Sequence, residues 1–187
     1  MKEISYASIR GKKTLIRGEV GKGKTLLLSR LLAEAANAEE IGSITVIDMA
    51  PGEKDVGNRK VGGKLTTPPS RSLVGCIYAP GRVFAPRLEG RTAEEVTFLA
   101  MQNAKAIEPY LTGYVASPTP VLFVNDLTIY LQSGRPELLR EAIGLAKTFV
   151  GTAYWGDFFD DRGSGINARE RLLLERLADL FDIVVEL

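Results

Sequence analysis

The chain has 187 residues, 45% of them hydrophobic and 25% charged, with a formal net charge of +1. That size suits one domain with a self-sufficient core, and the near-neutral balance sets up no global field toward nucleic acid or membrane. The absence of histidine and the single cysteine exclude Ser–His and Cys–His nucleophiles, His-ligated metal sites and an internal disulfide.

In chain order, Met1-Lys2-Glu3-Ile4-Ser5 lacks the long apolar stretch of a signal peptide, and no later run reaches membrane-spanning length. A cytoplasmic protein is expected. Thr14-Leu15-Ile16-Arg17 reads as a short buried strand ending at glycine. From Lys24 to about Ala36 the pattern is helical, with Leu27, Leu28, Leu31, Leu32 and Ala35 on one side. Gly42-Ser43 breaks it, and Ile44-Thr45-Val46-Ile47-Asp48 forms a second strand of β-branched residues.

Residues 51–91 change character. They are rich in Gly, Pro and basic residues, with Gly62-Gly63 and Pro68-Pro69 as breakers. Such a stretch is too long for an idle loop and reads as a functional insertion, with short strands at Val74–Tyr78 and Val83-Phe84. Cys76 lies in the apolar run Leu73-Val74-Gly75-Cys76-Ile77-Tyr78, where a packed thiol is the plainer reading than a nucleophile.

Thr92-Ala93-Glu94-Glu95 has the form of a capping box and opens a helix to about Leu111, ahead of Pro118 and Pro120. Val121-Leu122-Phe123-Val124 is a continuous apolar run, as expected of a strand covered on both faces. Pro136 starts a helix to about Lys147, Phe149–Tyr154 is a fourth main strand, and a polar loop covers residues 157–165. A helix over about Asn167–Phe181 and a final strand Ile183–Leu187 close the chain. Strands alternating with helices predict an α/β fold, a mainly parallel sheet sandwiched by helices, in one domain spanning residues 1–187.

Gly18-Glu19-Val20-Gly21-Lys22-Gly23-Lys24-Thr25 matches GxxxxGK[ST] without a gap. Its glycines permit torsions and close approach that a side chain would block. Successive N–H groups can then form a nest for phosphate oxygens, reinforced by the helix N-terminus that follows. In this pattern Lys24 reaches the β- and γ-phosphates and Thr25 holds Mg²⁺. The predicted strand before the motif and the periodic helix after it supply the confirming context. The expected nucleotide-binding set is Gly18, Glu19, Val20, Gly21, Lys22, Gly23, Lys24, Thr25 and Leu26, with ATP and Mg²⁺ as the ligands. Lys22 is equally well explained as a solvated loop lysine.

Val121–Val124 runs into Asn125-Asp126, an apolar strand ending in an acid, which puts a carboxylate at the same sheet edge as the glycine loop. Asp126 is expected to bind Mg²⁺ through a coordinated water; the plainer alternative is a cap on the next turn. Hydrolysis also needs a residue that orients water. Leu127 occupies the position directly after Asp126, so Asp48 and Glu53 are the leading candidates, with Glu19 and Asn125 behind them.

These pieces, with the ending Arg176-Leu177-Ala178-Asp179-Leu180-Phe181-Asp182-Ile183-Val184-Val185-Glu186-Leu187, resemble the RecA/KaiC-like branch of P-loop ATPases. The resemblance implies a RecA-type sheet, ATP hydrolysis, and a ring or filament of copies in which a neighbour's arginine completes the site. Arg162, in Asp160-Asp161-Arg162-Gly163-Ser164-Gly165, is the candidate for that arginine. The alternative is a solvated turn before a helix capped by Ser164 or Asn167. The chain departs from the family in lacking a glutamate beside Asp126 and in carrying the basic insertion.

That insertion holds eight basic residues (Lys54, Arg59, Lys60, Lys64, Arg71, Arg82, Arg87 and Arg91) against Asp55 and Glu89, with Tyr78 and Phe84 interleaved. Cations among aromatics can track a nucleic-acid strand; a solvated or subunit-packing insertion explains them equally. Three functions stay open: an ATPase working in an assembly, a small-molecule kinase, and a non-hydrolysing nucleotide sensor. A guanine-reading [NT]KxD motif is missing, which argues against a GTPase.

Overall fold

The computed structural model describes residues 4–57, 59–65, 76–78 (backbone only) and 81–187. The elements run α1 (Tyr6–Ile9), β1 (Lys13–Gly18), α2 (Lys24–Ala38), β2 (Ile44–Asp48), a hairpin of β3 (Lys54–Val56) and β4 (Arg59–Val61), then β5 (Cys76–Tyr78). After these come α3 (Pro86–Glu89), α4 (Ala93–Ala116), β6 (Val121–Asn125), α5 (Leu127–Leu131), α6 (Pro136–Leu145), β7 (Thr148–Tyr154), α7 (Ile166–Arg176) and β8 (Ile183–Glu186). Six strands form one sheet in the order β5-β2-β6-β7-β1-β8, and every registered pair is parallel.

The fold is therefore α/β, with a parallel sheet flanked by helices, as the alternation of strands and helices predicts. The apolar runs are continuous because both faces are covered: β6 and β7 are buried along their whole length. Successive residues point to opposite faces. Ile16, Val121, Phe123 and Val150 pack with α1 and α2, whereas Leu15, Leu122, Val124 and Phe149 pack with α4, α5, α6 and α7.

β1 and β7 are neighbours, but the helices that follow them lie on opposite faces, α2 on one and α7 on the other. At such a switch point the carboxyl ends of parallel strands open a crevice. β7 separates β1 from β6, so the ends of β1 and β6 stand roughly 10 Å apart, two strand spacings.

Several local expectations change. Val83-Phe84 is not a strand. The Asn103 side chain accepts from the Phe84 N–H at 2.8 Å and donates to its carbonyl at 2.9 Å, which takes the bonds a strand partner would make. α4 continues through Pro109 to Ala116, five residues past the expected end at Leu111. At its start Thr92 caps Glu95 N as expected, but the Glu95 carboxylate accepts from Arg91 N, one residue before the cap. The C-terminal helix stops at Arg176, and residues 178–180 form a 3₁₀ turn.

The hairpin β3–β4 and the short helix α5 have no counterpart in the sequence reading. Val74, Gly75, Pro68, Pro69 and Arg71 lie outside the described residues; β5 takes up the remainder of the strand expected at 74–78. Among the described residues, no helix is long and apolar enough to cross a membrane.

Candidate functional site

The glycine loop leaves β1 at Gly18 and enters α2 through Gly23, the N-cap, at φ 83°. Gly21 has φ 73°, and a Cβ at Gly21 or Gly23 would meet no atom within 4 Å. Torsion, and not space, dictates glycine there. The first turn of α2 carries no acidic residue, so nothing in the helix offsets its positive end.

Gly18 is required for a different reason. A Cβ there would collide with the carbonyl of Leu187, just beyond the end of β8. Gly18→Ala is expected to lower stability by about 1–3 kcal/mol, the usual range for overpacking, as read from urea denaturation.

Lys24 folds back over the loop. Its Nζ donates to Gly18 O at 2.8 Å and Glu19 O at 2.7 Å. Burial pushes its pKa down, and the charges of Asp126 and Glu19 oppose that shift. Glu19 does not face the loop's interior: its carboxylate accepts from Val20 N at 2.8 Å and from Asp157 N at 3.1 Å. It therefore ties the loop to the segment after β7, where Gly156 leaves room for it.

Asp126 sits just past β6 in a left-handed conformation, φ 61°. Two threonines hold it there. Its N–H donates to Thr152 Oγ1 at 2.8 Å, and Thr128 Oγ1 donates to its carboxylate at 2.5 Å. Thr152 Oγ1 in turn donates to Asn125 Oδ1 at 3.0 Å. Burial raises the Asp126 pKa; the Thr128 hydrogen bond and the charges of Lys24 and Arg87 work against that rise. Thr152→Val removes the acceptor for Asp126 N and the donor to Asn125 together. A loss of about 1–3 kcal/mol is expected from these unsatisfied buried groups, measured by urea denaturation.

The insertion folds over this edge. Gly62 and Gly63 follow β4, and the Gly63 carbonyl accepts from Asn125 Nδ2 at 3.1 Å. The same Nδ2 donates to Asp48 Oδ1 at 2.9 Å, and Asp48 Oδ2 accepts from Leu65 N at 2.8 Å. Asp48, 4% exposed, thus pins the hairpin's exit to the sheet.

Together these parts enclose a cavity of about 250 Å³. Its wall runs from Val20 to Leu26, along residues 60–63 and 85–88, and across the ends of β6 and β7 to Phe159. Among the described residues that wall carries four cations, Lys22, Lys24, Lys60 and Arg87, and one carboxylate, Asp126. Lys60 and Arg87 are paired with Glu53 and Glu170 off the wall, which leaves Lys22 and Lys24 as the cations of the loop itself. No protein-family model matches the chain, and no curated protein matches it significantly.

Most of the expected site residues meet here: Val20, Gly21, Lys22, Gly23, Lys24, Thr25, Leu26 and Asp126 all line the cavity. Gly18 and Glu19 support the loop from behind. Asp48 and Glu53 are not on the wall; Asp48 is engaged as described, and Glu53 is exposed and paired with Lys60. Arg162 is half exposed at φ 58° and paired with Asp160 at 3.3 Å, away from the cavity. The helix behind it is capped neither by Ser164 nor by Asn167: Gly165 is the N-cap, and Asp161 accepts from Asn167 N at 3.1 Å.

The basic segment is largely engaged within the chain. Lys54 pairs with Glu89 at 2.8 Å, and Arg82 lies 3.5 Å from the same carboxylate and over the Phe84 ring. Arg59 covers Phe158. Arg87, with its side chain 6% exposed, is bound to Glu170 at 2.5 Å. The sequence reading counts Arg87 only as one basic residue of eight. The signal for more is its setting: a cation inside Val83-Phe84-Ala85-Pro86-Arg87-Leu88 needs a buried partner.

Proposed function

We propose that the chain binds Mg²⁺–ATP at the glycine loop and hydrolyses it, as a P-loop ATPase resembling the RecA/KaiC-like branch. The observation that carries this reading is a cavity built around a helix N-terminus entered through left-handed glycines, with Lys24 folded over the loop and Asp126 on the same wall. Phosphate oxygens would accept from the loop N–H groups, and Lys24 would exchange its two carbonyl partners for β- and γ-oxygens. The Thr25 hydroxyl and the Asp126 carboxylate share the wall and form the hard-oxygen set that magnesium takes. When bound, magnesium neutralises charge building on the phosphates. Thr128 and Thr152 hold Asp126 ready for that role.

A second reading, transfer of the γ-phosphate to a small acceptor, is favoured by one observation. Asp126 is the only carboxylate on the wall among the described residues, Leu127 is fully buried, and Asp48 is engaged in holding the hairpin. Among the described residues of the wall, no second acid is left to orient a water. Leu88, Ile129, Tyr154 and Phe159 would shape the acceptor pocket instead.

Calorimetry with MgATP and MgADP, followed by phosphate-release assays over a range of protein concentrations, with and without DNA, RNA and phosphate acceptors, separates these readings. Phosphate release from MgATP alone supports the ATPase, and acceptor-dependent product supports the kinase. Binding without either leaves a nucleotide sensor. A steep rise of turnover with protein concentration would bring in a second copy and Arg162; stimulation by DNA or RNA would bring in the basic segment. No heat with any Mg-nucleotide removes the whole reading.

A further inference from the structure

Arg87 differs from the other cations of the cavity wall in being fixed from behind. Its Nη1 donates to Glu170 Oε1 at 2.5 Å and to Asn167 Oδ1 at 2.8 Å. The rings of Tyr154 and Phe159 flank the guanidinium, with centroids 4.9 and 4.4 Å from Cζ. Glu170 is itself held, accepting from Gln132 Nε2 at 3.0 Å.

This arrangement uses one nitrogen of three. Among the described residues, Nε and Nη2 of Arg87 have no hydrogen-bond partner, although the residue is buried at the cavity wall. A bidentate fork on Glu170 would be the stronger pairing if support were the only purpose. Neither nitrogen is among the fully enclosed polar atoms that lack a partner, so both remain accessible on a residue of the cavity wall, where the geometry favours an acceptor-rich occupant. Glu170 already balances the charge, which leaves Arg87 to act through the geometry of its donors more than through net charge.

We propose that Arg87 recognises the terminal phosphate of the bound nucleotide, with Nε and Nη2 donating to γ-phosphate oxygens from the α3 wall while Lys24 does so from the loop. The assignment to the terminal phosphate rests on the nucleotide reading above, in which Lys24 takes β- and γ-oxygens. Arg87 is close enough to Asp126 for its charge to act there, and Asp126 is the carboxylate that the nucleotide reading gives to magnesium. The arginine comes from the same chain and is clamped in place before the nucleotide arrives.

Calorimetry with MgADP and with the magnesium complex of a non-hydrolysable ATP analogue tests this. Wild-type protein is expected to bind the analogue at least about tenfold more tightly than MgADP, the value of one or two charge-assisted hydrogen bonds. Arg87→Lys, which keeps the charge, and the double change Arg87→Gln with Glu170→Gln, which leaves no buried ion unpaired, are expected to lose most of that preference, Lys24 keeping the rest, while holding MgADP affinity within about twofold. Thermal melts check that each variant is folded. Equal wild-type affinity for the two nucleotides, or equal weakening of both in the variants, overturns the assignment. Wild-type protein that binds neither nucleotide overturns the nucleotide reading itself, a different and recognisable result.

Discussion

Lys24→Ala is expected, on the proposed nucleotide reading, to reduce MgATP turnover by at least about 100-fold, the usual cost of losing one preorganised charge-stabilising group, and to bring MgATP binding below detection by calorimetry. The argument is one of position. Lys24 is the ammonium at the mouth of the glycine loop, held over it by the carbonyls of Gly18 and Glu19. Its burial already makes the charge expensive to keep, and an anion in the cavity would stabilise it. Alanine removes the charge and leaves the loop glycines and the α2 N-terminus in place, so the fold is expected to survive. Lys22 is the internal control. It lines the same cavity but is exposed on the loop, and Lys22→Ala is expected to change binding only slightly because a solvated ammonium is well screened. Comparable losses in the two variants would mean that the loop acts through general charge and not through a specific contact.

Glu170→Ala is expected to give the largest loss of stability, about 3–5 kcal/mol, the range found when one partner of a buried ion pair is removed. Both side chains of the Arg87–Glu170 pair are nearly inaccessible, at 6% and 5% exposure. Without the carboxylate, Arg87 keeps only Asn167 as acceptor, and Gln132 Nε2 loses its partner. The effect should be seen as a lower urea midpoint with an unchanged slope. The contrast is Glu186→Ala. Glu186 pairs with Arg17 but has its side chain 66% exposed, and its removal should change stability by less than about 1 kcal/mol. A shift for Glu170→Ala no larger than that for Glu186→Ala would mean that water reaches the Arg87 pair.

The contrast between what the residues announce and what they conceal follows sequence separation. The glycine loop and α2 are legible because their chemistry is contiguous: eight residues define the loop, and the leucine spacing defines the helix. The strands β1, β2, β6, β7 and β8 are legible as apolar runs for a related reason, since a strand covered on both faces needs no polar partner. α5 is hidden by the same property. Leu127–Leu131 is buried throughout and apolar except for Thr128, and so short a run carries no period that separates helix from strand. The insertion is the least legible part because its partners are remote. Arg87 is 83 residues from Glu170, and Asp48 is 17 residues from the Leu65 amide it holds. Composition makes the insertion look like a free basic surface, whereas tertiary pairing buries Arg87 and ties Lys54, Lys60 and Arg82 to carboxylates. Asp48 was a reasonable candidate for catalysis, as an acid at a strand end; the hydrogen bonds that occupy it come from segments whose approach no local pattern reveals.

The strand order has a bearing on biosynthesis. β1 is made near the start of the chain, yet its two sheet neighbours are β7 and β8, and the Lys13 amide is bonded by Asp182, 169 residues later. A ribosome-bound chain that has reached only β6 holds a first strand with neither lateral partner, so the turn that follows that strand has no fixed frame to hang from. Closure over such long intervals is slow. Competence to capture any ligand at that turn therefore waits until β7 and β8 have emerged and closed on β1.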